Sequence, residues 1–507
     1  NGGFSSYEIV NQIAKGSSKL EERERRFDVT LLISGLPIIQ IELKTAIAKD
    51  GVKQAYYQIE KYVDEGTFSN TIFQTLQLFV MSNEQTTRYM AAAPKGELQE
   101  KFMFSWRTRD NTKVENINEF AKQVLNIPRA HELVSEYMIV SEEPSNKVLM
   151  VLHPYQIHAI EAIFKAAGKH ESGYIWHATG SGKTLTSFKT AKLATELPFI
   201  DKVFFVVDRK DLDYQTMKEY QKFQPDSVNG SKNTKQLKEG IESQDNRIVV
   251  TTIQKLNEFV KKNPNHEIYD KQCVLIYDEC HRSQFGDAQK NIRKSFKKYY
   301  QFGFTGTPIF PENSLGGDTT SGIFGAQLHS YVITDAIRDG KVLKFKVDYN
   351  NITPKFKTAE EEEDDRKLAK LERKMLLHPE RITEITKHIL KVFDRKTHRN
   401  EYYDLKRRRL NGFNAMFAVQ SVEAAKLYYE EFEKQQSGRP EEKKLKIATI
   451  YSFSANEEQS AIGEISDESF DVSAMDSSAK EFLEKAINDY NGYFKTNFST
   501  NGNEFQN

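Results

Sequence analysis

The chain has 507 residues, and at roughly 150 residues per domain that length suggests about three domains. Its 72 lysines and arginines balance 72 aspartates and glutamates, which excludes a uniformly basic nucleic-acid coat but leaves room for a local basic groove. With 38% hydrophobic residues, 33 Phe and 23 Tyr it can fill several cores and is not a disordered chain. Its two cysteines, Cys273 and Cys280, form no C-x-x-C, which excludes a disulfide scaffold and a cysteine–zinc site and fits a reducing compartment. No apolar run approaches the ~18 residues of a membrane span, and no basic-then-apolar leader opens the chain. The expected location is the cytoplasm, with no membrane partner. The chain opens on Asn1 and closes on the polar run Asn501–Asn507, so both ends are expected to be cut from a longer protein.

Three blocks follow one another, without an internal repeat of the about 20–50-residue kind. The first, residues 1–137, pairs short strands with amphipathic helices. Within it, Phe27 to Lys44 reads as a hairpin turning about Gly35. That turn sets Asp28 opposite Glu42, while Glu42 and Lys44, two apart, share a strand face. Two carboxylates and a lysine thus converge on an otherwise apolar hairpin. Carboxylates hold Mg²⁺, the metal activates water, and a lysine orients that water or offsets charge on a scissile phosphate. Asp28 and Glu42 are therefore candidate metal ligands, and with Lys44 candidate catalytic residues of a nuclease. An isolated E-x-K is common by chance; the spacing to Asp28 and the strand context give this one its weight. The next helix carries Gln54, Gln58 and Tyr62 on one face, as an ordinary amphipathic helix also would.

The second block, residues 138–338, alternates apolar runs (Gly173–Trp176, Val203–Val207, Arg247–Thr252, Val274–Tyr277, Tyr300–Phe304) with helical stretches. That alternation predicts a parallel sheet with crossover helices. Between the first run and a helix at Leu185–Leu197 lies Ala178-Thr179-Gly180-Ser181-Gly182-Lys183-Thr184. A triphosphate must be met by backbone N–H groups with no side chains in the way; glycines permit that approach and the helix N-terminus adds partial positive charge. Thr179, Gly180, Ser181 and Gly182 would form the cradle, Lys183 would reach the β/γ-phosphates, and Thr184 would offer a hydroxyl to Mg²⁺. The strict G-x-x-x-x-G-K-[ST] pattern has glycine where this chain has His177. A later apolar run ends in Asp278-Glu279-Cys280-His281. Asp278 would hold Mg²⁺ through water and Glu279 would polarise the attacking water; two adjacent carboxylates at the end of a buried run are costly without a cation. His281, within this Asp-Glu-x-His run, is expected to share the site's function.

The third block, residues 339–507, opens with the charge run Glu360–Lys367, which reads as a solvated helix or linker. Beyond it a helix (Arg381–Phe393), a strand (Asn414–Val419), a helix (Val422–Lys434) and a strand (Leu445–Ile450) are expected. The basic Lys406-Arg407-Arg408-Arg409 reads as a solvated loop rather than a DNA contact.

Taken together, the phosphate loop and Asp278-Glu279-Cys280-His281 resemble a superfamily 2 helicase motor. Other segments fall in the matching order. Pro154-Tyr155-Gln156 is similar to the adenine-recognising segment, which makes Gln156 a cofactor-binding candidate. Val206-Val207-Asp208-Arg209 resembles motif Ia, and Val250-Thr251-Thr252-Ile253-Gln254 a later DNA-contacting segment. Phe304-Thr305-Gly306-Thr307-Pro308 resembles motif III, and Ala415–Ser421 resembles motif IV of a second lobe. Gln435-Gln436-Ser437-Gly438-Arg439 has the spacing of the arginine-finger motif but is rejected as one, since it sits at a helix end before a strand and no motif V precedes it. Gln58 and Tyr62 match the Q-x-x-x-Y that follows E-x-K in RecB-like nucleases.

A PD-(D/E)xK core ahead of such a motor resembles one family closely, the motor and endonuclease (R, or HsdR) subunit of type I restriction enzymes. The likeness extends to Gly173–His177, Val207–Asp213, Asp278–Ser283, Tyr331–Ile337, Gln40–Lys44 and Leu76–Val80, and His177 is usual in that family. The resemblance implies an α/β chain: a PD-(D/E)xK nuclease domain (1–137), a RecA-like helicase domain with the ATP site (138–338) and a partial second RecA-like domain (339–507). Asp28, Glu42 and Lys44 would cut, supported by Gln58 and Tyr62. Gly180, Gly182, Lys183, Thr184, Asp278 and Glu279 would bind and hydrolyse ATP with Mg²⁺. Asp208, Arg209, Thr251 and Thr252 would contact DNA; His281, Thr305, Gly306 and Thr307 would couple nucleotide state to DNA grip. The implied partners are double-stranded DNA and the methyltransferase and specificity subunits, with S-adenosylmethionine entering only through those subunits, in a prokaryotic cytoplasm. The chain itself shows no S-adenosylmethionine loop and no target-recognition repeats, so sequence-indifferent, salt-sensitive DNA binding is expected. Two rivals are a free-standing helicase–nuclease acting on DNA ends and a DNA-remodelling ATPase whose nuclease fold is inactive.

Overall fold

In a computed structural model the described residues are 4–15, 25–143, 146–207, 228–230, 234–244, 246–283, 287–314, 318–350, 374–405, 408–449 and 477–499. They fall into two compact units, Asn1–Lys344 and Phe345–Asn507. None of the helices among them is long and apolar enough to cross a membrane.

The first unit opens with a five-stranded sheet of β1 (Tyr7–Lys15), β2 (Arg25–Ile33), β3 (Leu36–Leu43), β4 (Leu78–Ser82) and β5 (Thr87–Ala91), in that spatial order. Neighbours are antiparallel except β3 and β4, which run parallel. A parallel pair needs a crossover, and α1 (Gly51–Asp64) supplies it. Ala55, Tyr56, Ile59 and Tyr62 of α1 pack with Phe27, Phe79 and Met81 on one face of the sheet. Leu31, Ile39, Ile41, Leu78 and Val80 point to the other face, into a core that continues through Trp106, Phe120 and Leu133 to Ile157 and Ile160.

The β2–β3 turn differs in detail from a symmetric turn about Gly35. It is a two-residue turn with both residues in the left-handed region, Ser34 at φ 49° and Gly35 at φ 78°, the geometry that matches strand twist. That turn alone would leave the strands one residue out of the expected register, pairing Ile33 with Leu36 and Leu32 with Pro37. A bulge between Leu31 and Leu32, opposite the proline that cannot donate to the ladder, restores the pairs Thr30–Gln40 and Val29–Ile41. One step further along that register, Asp28 stands opposite Glu42.

A short hairpin of β6 (Trp106–Arg107) and β7 (Lys113–Val114), small helices α2 (Ile117–Phe120) and α3 (Arg129–Ser135), and a hairpin of β8 (Met138–Glu143) and β9 (Asn146–Val151) lead to α4 (Pro154–Ala167). Then come β10 (Gly173–His177), α5 (Lys183–Glu196), β11 (Lys202–Val207), β12 (Val228–Gly230), β13 (Ile248–Thr252), β14 (Gln272–Tyr277), β15 (Lys298–Thr305) and β16 (Ala326–Tyr331), with further helices between them. These seven strands form one parallel sheet, β12-β13-β11-β14-β15-β10-β16. The runs read as apolar in sequence are its central strands, buried on both faces. Their carboxyl ends bring three loops to one edge: the glycine-rich loop after β10, the acidic pair after β14 and Thr305-Gly306-Thr307 at the end of β15.

In the second unit the helices Pro379–Lys396 and Val422–Gln436 pack through Ile382, Tyr428 and Phe432. The helix Ser477–Phe494 joins them through Phe482, edge-on to Tyr429 at 5.6 Å, and through a 2.6 Å hydrogen bond from the Tyr429 hydroxyl to Asp489. The two helices expected here are present. The strands expected at Asn414–Val419 and Leu445–Ile450 are not: residues 413–419 and 445–449 carry no strand pairing, and Met416 is 92% exposed. A strand exists only with a neighbour's hydrogen bonds, and among the described residues of this unit only Tyr402–Leu405 and Arg408–Asn411 pair, with each other. Arg409, read as part of a basic loop, is on that hairpin, stacked over Tyr402 at 4.2 Å. The Glu360–Lys367 run lies outside the described residues.

Candidate nuclease and ATP sites

On the first sheet, Gln40 and Glu42 project from β3 toward α1. Glu42 is fully buried, whereas Asp28, Lys44 and Gln58 are half-buried. Asp28 is anchored by the backbone: its Oδ2 accepts the Leu43 N–H at 2.8 Å. Lys44 donates from Nζ to Gln58 Oε1, the Gln58 amide donates to the Tyr62 hydroxyl at 2.5 Å, and that hydroxyl donates to the Arg26 carbonyl at 3.2 Å. The five residues read as one site are thus brought together. Gln54 is not among them, because its amide turns away to the Lys49 carbonyl.

Burial, and next the facing Asp28 carboxylate, push the Glu42 carboxyl up to about 8. Among the described residues no group of three His, Cys, Asp or Glu could hold a metal. Mg²⁺, however, is commonly bound by one or two carboxylates with water completing its shell. The donor set fits that need: two carboxyl groups side by side, one of them kept protonated by its burial and by the other, with Glu42 Oε2 buried. A cation there would relieve both costs.

The raised acid has a consequence for stability. A carboxyl with folded pKa near 8, against an ordinary 4.5, binds more protons folded than unfolded. Its contribution to stability is therefore complete below the lower value and is lost as pH rises through the upper one. With a chelator present, the unfolding temperature should fall between about pH 5 and 8 from this group, and Glu42→Gln should flatten that slope. Thermal unfolding of both proteins across pH checks this; the same slope in the variant would contradict it.

On the second sheet, β10 ends at His177 and the chain turns through Gly180 (φ 81°) and Gly182 (φ 78°) into α5. Both glycines occupy the left-handed region that side chains disfavour, in a loop that leads into a helix N-terminus, with the Ser181 N–H held inside it by the Ala178 carbonyl at 3.1 Å. His177, in the place where the strict pattern has glycine, belongs to the strand instead. Its ring is buried, bonded to His329 of β16 at 3.0 Å and edge-on to Tyr155 at 5.4 Å, and burial holds its pKa well below the usual histidine value. It leaves the cradle open.

Lys183 is buried and pairs with Glu279 at 3.2 Å; Glu279 also lies 3.5 Å from His281. Glu279 has φ 43°, a left-handed conformation that costs about 1–2 kcal/mol for a residue with a Cβ. Asp278 is half-buried and its Oδ1 accepts the Glu279 N–H at 3.0 Å. The His281 ring meets the Thr305 hydroxyl at 3.0 Å, and the same oxygen accepts the Thr307 N–H at 3.0 Å. Gly306 accepts from Trp176 of β10 through its carbonyl at 3.1 Å. The acidic pair, His281 and Thr305-Gly306-Thr307 therefore gather around the glycine-rich loop. Thr179 is exposed, Thr184 is half-buried, and the buried Ser181 Oγ has no hydrogen-bond partner. A buried lysine, a glycine-rich loop at a helix N-terminus and an unsatisfied hydroxyl fit a polyphosphate with Mg²⁺.

Three of the residues expected to contact DNA or the adenine base are buried. Thr251 and Thr252 are buried, at 0% and 1% exposure, and the Thr252 hydroxyl caps the helix Ile253–Lys262 by accepting the Lys255 N–H at 3.3 Å. Gln156 is also buried, and its amide braces the loop by donating to the Gly182 carbonyl at 3.3 Å and accepting the His153 N–H at 2.9 Å, so in this arrangement it is not open to a base. Asp208 and Arg209 lie outside the described residues.

A chain of contacts runs from the glycine-rich loop to the β6–β7 hairpin. The Tyr155 hydroxyl donates to the Ser181 carbonyl at 2.6 Å, and its ring stacks on Tyr331 at 3.7 Å. The Tyr331 hydroxyl donates to Asp339 at 3.0 Å, and Asp339 forms an ion pair with Arg107 of the β6–β7 hairpin. Around this pair His158 meets the Arg107 carbonyl at 2.9 Å and Asn111 donates to Asp335 at 3.2 Å. The side chains of Arg107 and Asp339 are 10% and 9% exposed. Arg107→Ala would strand a buried aspartate and should cost about 3–5 kcal/mol of stability, with Asp339→Ala restoring part of the loss in the double variant. A thermal double-mutant cycle measures this, and strict additivity would contradict the coupling.

A sheet carrying a carboxylate–lysine cluster, joined to a parallel α/β lobe with a phosphate loop and a following acidic pair, defines a nuclease-type domain fused to a helicase-type ATPase. Residues 1–97 match the family described as type I restriction enzyme R protein N terminus, residues 155–379 the SWI2/SNF2 ATPase and residues 411–507 the type I restriction enzyme subunit R domain 3. The chain belongs to the type I restriction enzyme endonuclease subunit family. It is 38% identical over 496 residues to the endonuclease subunit of the type I restriction enzyme SsaAORF53P of Staphylococcus saprophyticus, covering 97% of this chain and 50% of that one. It is 43% identical over 207 residues to the C-terminal part of a putative type I restriction enzyme MpnIIP endonuclease subunit of Mycoplasma pneumoniae, covering 38% of this chain and 99% of that one. A solved fragment of a putative HsdR subunit from Vibrio vulnificus aligns at 19% identity and TM-score 0.27, covering 66% of this chain and 56% of that one. The chain spans about half the length of the Staphylococcus relatives it matches.

Proposed function

We propose that this chain forms the nuclease and motor parts of an ATP-dependent restriction subunit. That subunit moves double-stranded DNA by ATP hydrolysis and cuts unmodified DNA away from the recognised sequence. In this reading residues 1–137 cut, 138–338 bind and hydrolyse ATP, and 339–507 contribute to a second motor lobe. The observation that carries it is the presence, in one compact unit, of a carboxylate–lysine cluster and a separate Lys183–Glu279 phosphate site.

At the nuclease site Asp28 and Glu42 would hold Mg²⁺, which when bound supplies an activated water and charge neutralisation at phosphate. Lys44, held by Gln58 and through it by Tyr62, sets its ammonium beside the scissile phosphate, where it offsets the charge that develops. At the other site the glycine-rich loop receives the polyphosphate of ATP, Lys183 leaves Glu279 to meet it, and Thr184 and Asp278 would hold Mg²⁺. Glu279, released from Lys183, is free to orient the attacking water. His281 and Thr305 connect this exchange to the end of β15, a route for passing nucleotide state to DNA grip.

Modification and sequence reading would lie in methyltransferase and specificity partners, which would also bring S-adenosylmethionine; the assembly would work in a prokaryotic cytoplasm. The test reconstitutes the whole subunit with those partners and compares circular DNA with and without the protective methylation, in ATP and Mg²⁺. Cutting of the unmethylated circle alone supports the reading. Equal cutting of both, or cutting by the lone subunit at DNA ends, would favour a free-standing helicase–nuclease. ATP-driven movement with no cutting would favour a remodeller.

A further inference from the structure

We infer that Gln40, held by Thr30, is the positioning residue that fixes the Glu42 carboxylate for a divalent cation. This rests on the nuclease reading above.

Gln40 and Glu42 are two apart on β3 and share its α1-facing side, opposite Phe79 and Met81 of β4. Both are fully buried, as is Thr30. A buried amide in such company is costly unless every polar atom is satisfied, and apolar side chains would fill the same space without that cost. Here each amide atom is used. Thr30, directly across the ladder on β2, donates its hydroxyl to Gln40 Oε1 at 2.7 Å. Gln40 Nε2 then donates to the Ile41 carbonyl at 3.2 Å and to Glu42 Oε1 at 3.1 Å.

An amide has one donor end and one acceptor end. Turned over, Gln40 would point its oxygen at Glu42 and repel the carboxylate. The Ile41 carbonyl, which can only accept, selects the useful orientation, and the Thr30 hydroxyl supplies the hydrogen bond that the amide oxygen then needs. One oxygen of Glu42 is thereby tied down by protein, while Oε2 is buried and has no protein N–H or O–H donor other than the proton it can share with Asp28. A carboxylate with one oxygen held and the other sharing only a proton, beside Asp28, is oriented for a cation. Outer partners of this kind commonly change metal affinity by about 10–100-fold when removed.

The experiment follows Mn²⁺ binding to the nucleotide-free whole subunit by electron paramagnetic resonance, with Asp28→Ala defining the signal that belongs to this site. Gln40→Leu and Thr30→Val should each weaken that site by about 10–100-fold, whereas Thr30→Ser, which keeps the hydroxyl, should bind as wild type. ATP hydrolysis, carried out elsewhere in the molecule, reports that the variants are folded. Wild-type Mn²⁺ affinity in a folded Thr30→Val or Gln40→Leu protein overturns the positioning role. If Gln40→Leu fails to fold, the Thr30→Val and Thr30→Ser pair decides it alone. A wild-type protein with no Mn²⁺ site removed by Asp28→Ala overturns the nuclease reading and this inference with it.

Discussion

Lys183→Ala should stop ATP hydrolysis by the whole subunit. Lys183 is a buried ammonium whose partner is Glu279, so its removal has two effects. The loop loses the full charge it offers a polyphosphate, and Glu279, held in a left-handed backbone, loses its cation. Deleting one preorganised donor to transition-state charge typically costs about 10²–10³-fold in turnover, and a full cation at a desolvated site belongs at the upper end of that range. Any cutting driven by translocation should disappear with it, although the nuclease cluster is untouched. Phosphate release in the presence of DNA measures the effect; turnover within a few-fold of wild type would mean that the loop after β10 is not the ATP site.

Asp28→Ala should have the opposite pattern. Asp28 is fixed by the Leu43 N–H and supplies one of two carboxylates, so its loss leaves Glu42 as a lone buried ligand. If the lost cation contribution is about 4 kcal/mol, cutting falls about a thousandfold. ATP hydrolysis should continue, because the partners of Asp28 are Leu43 and Glu42 on its own sheet. Paired assays of strand cleavage and phosphate release on the same preparation separate the two sites. Loss of both activities in a folded Asp28→Ala protein would mean that the carboxylate cluster and the phosphate loop do not act as separate sites.

Much of the site was legible because its chemistry is local in sequence. Glycines, Lys183 and Thr184 stand side by side, and Asp278 and Glu279 end an apolar run. The Asp28–Glu42 facing could be read from spacing alone, although the actual turn reaches it by a different route, through a two-residue turn and a bulge beside Pro37. Gln40 was readable on the same grounds: a polar residue two before Glu42 on a face otherwise lined by α1 was a signal for a buried partner. Arg107 and Asp339 could not be found that way, since they are far apart in the chain and neither belongs to a short pattern. Thr251 and Thr252 show that one string can carry two readings. A motif-like string at the end of a strand suggested a DNA contact, but the same threonines are suited to ending a strand and capping the helix that follows. The unpaired stretches 413–419 and 445–449 have strand-like composition, yet composition cannot supply a neighbouring strand.

The central claim is that cutting by the first sheet depends on ATP turnover by the second. The most direct measurement is cleavage of unmethylated circular DNA by the wild-type subunit with its partners, in Mg²⁺ with either ATP or a non-hydrolysable analogue. Cutting with ATP and none with the analogue is the predicted result. Equal cutting with the analogue, or with no nucleotide at all, would contradict it.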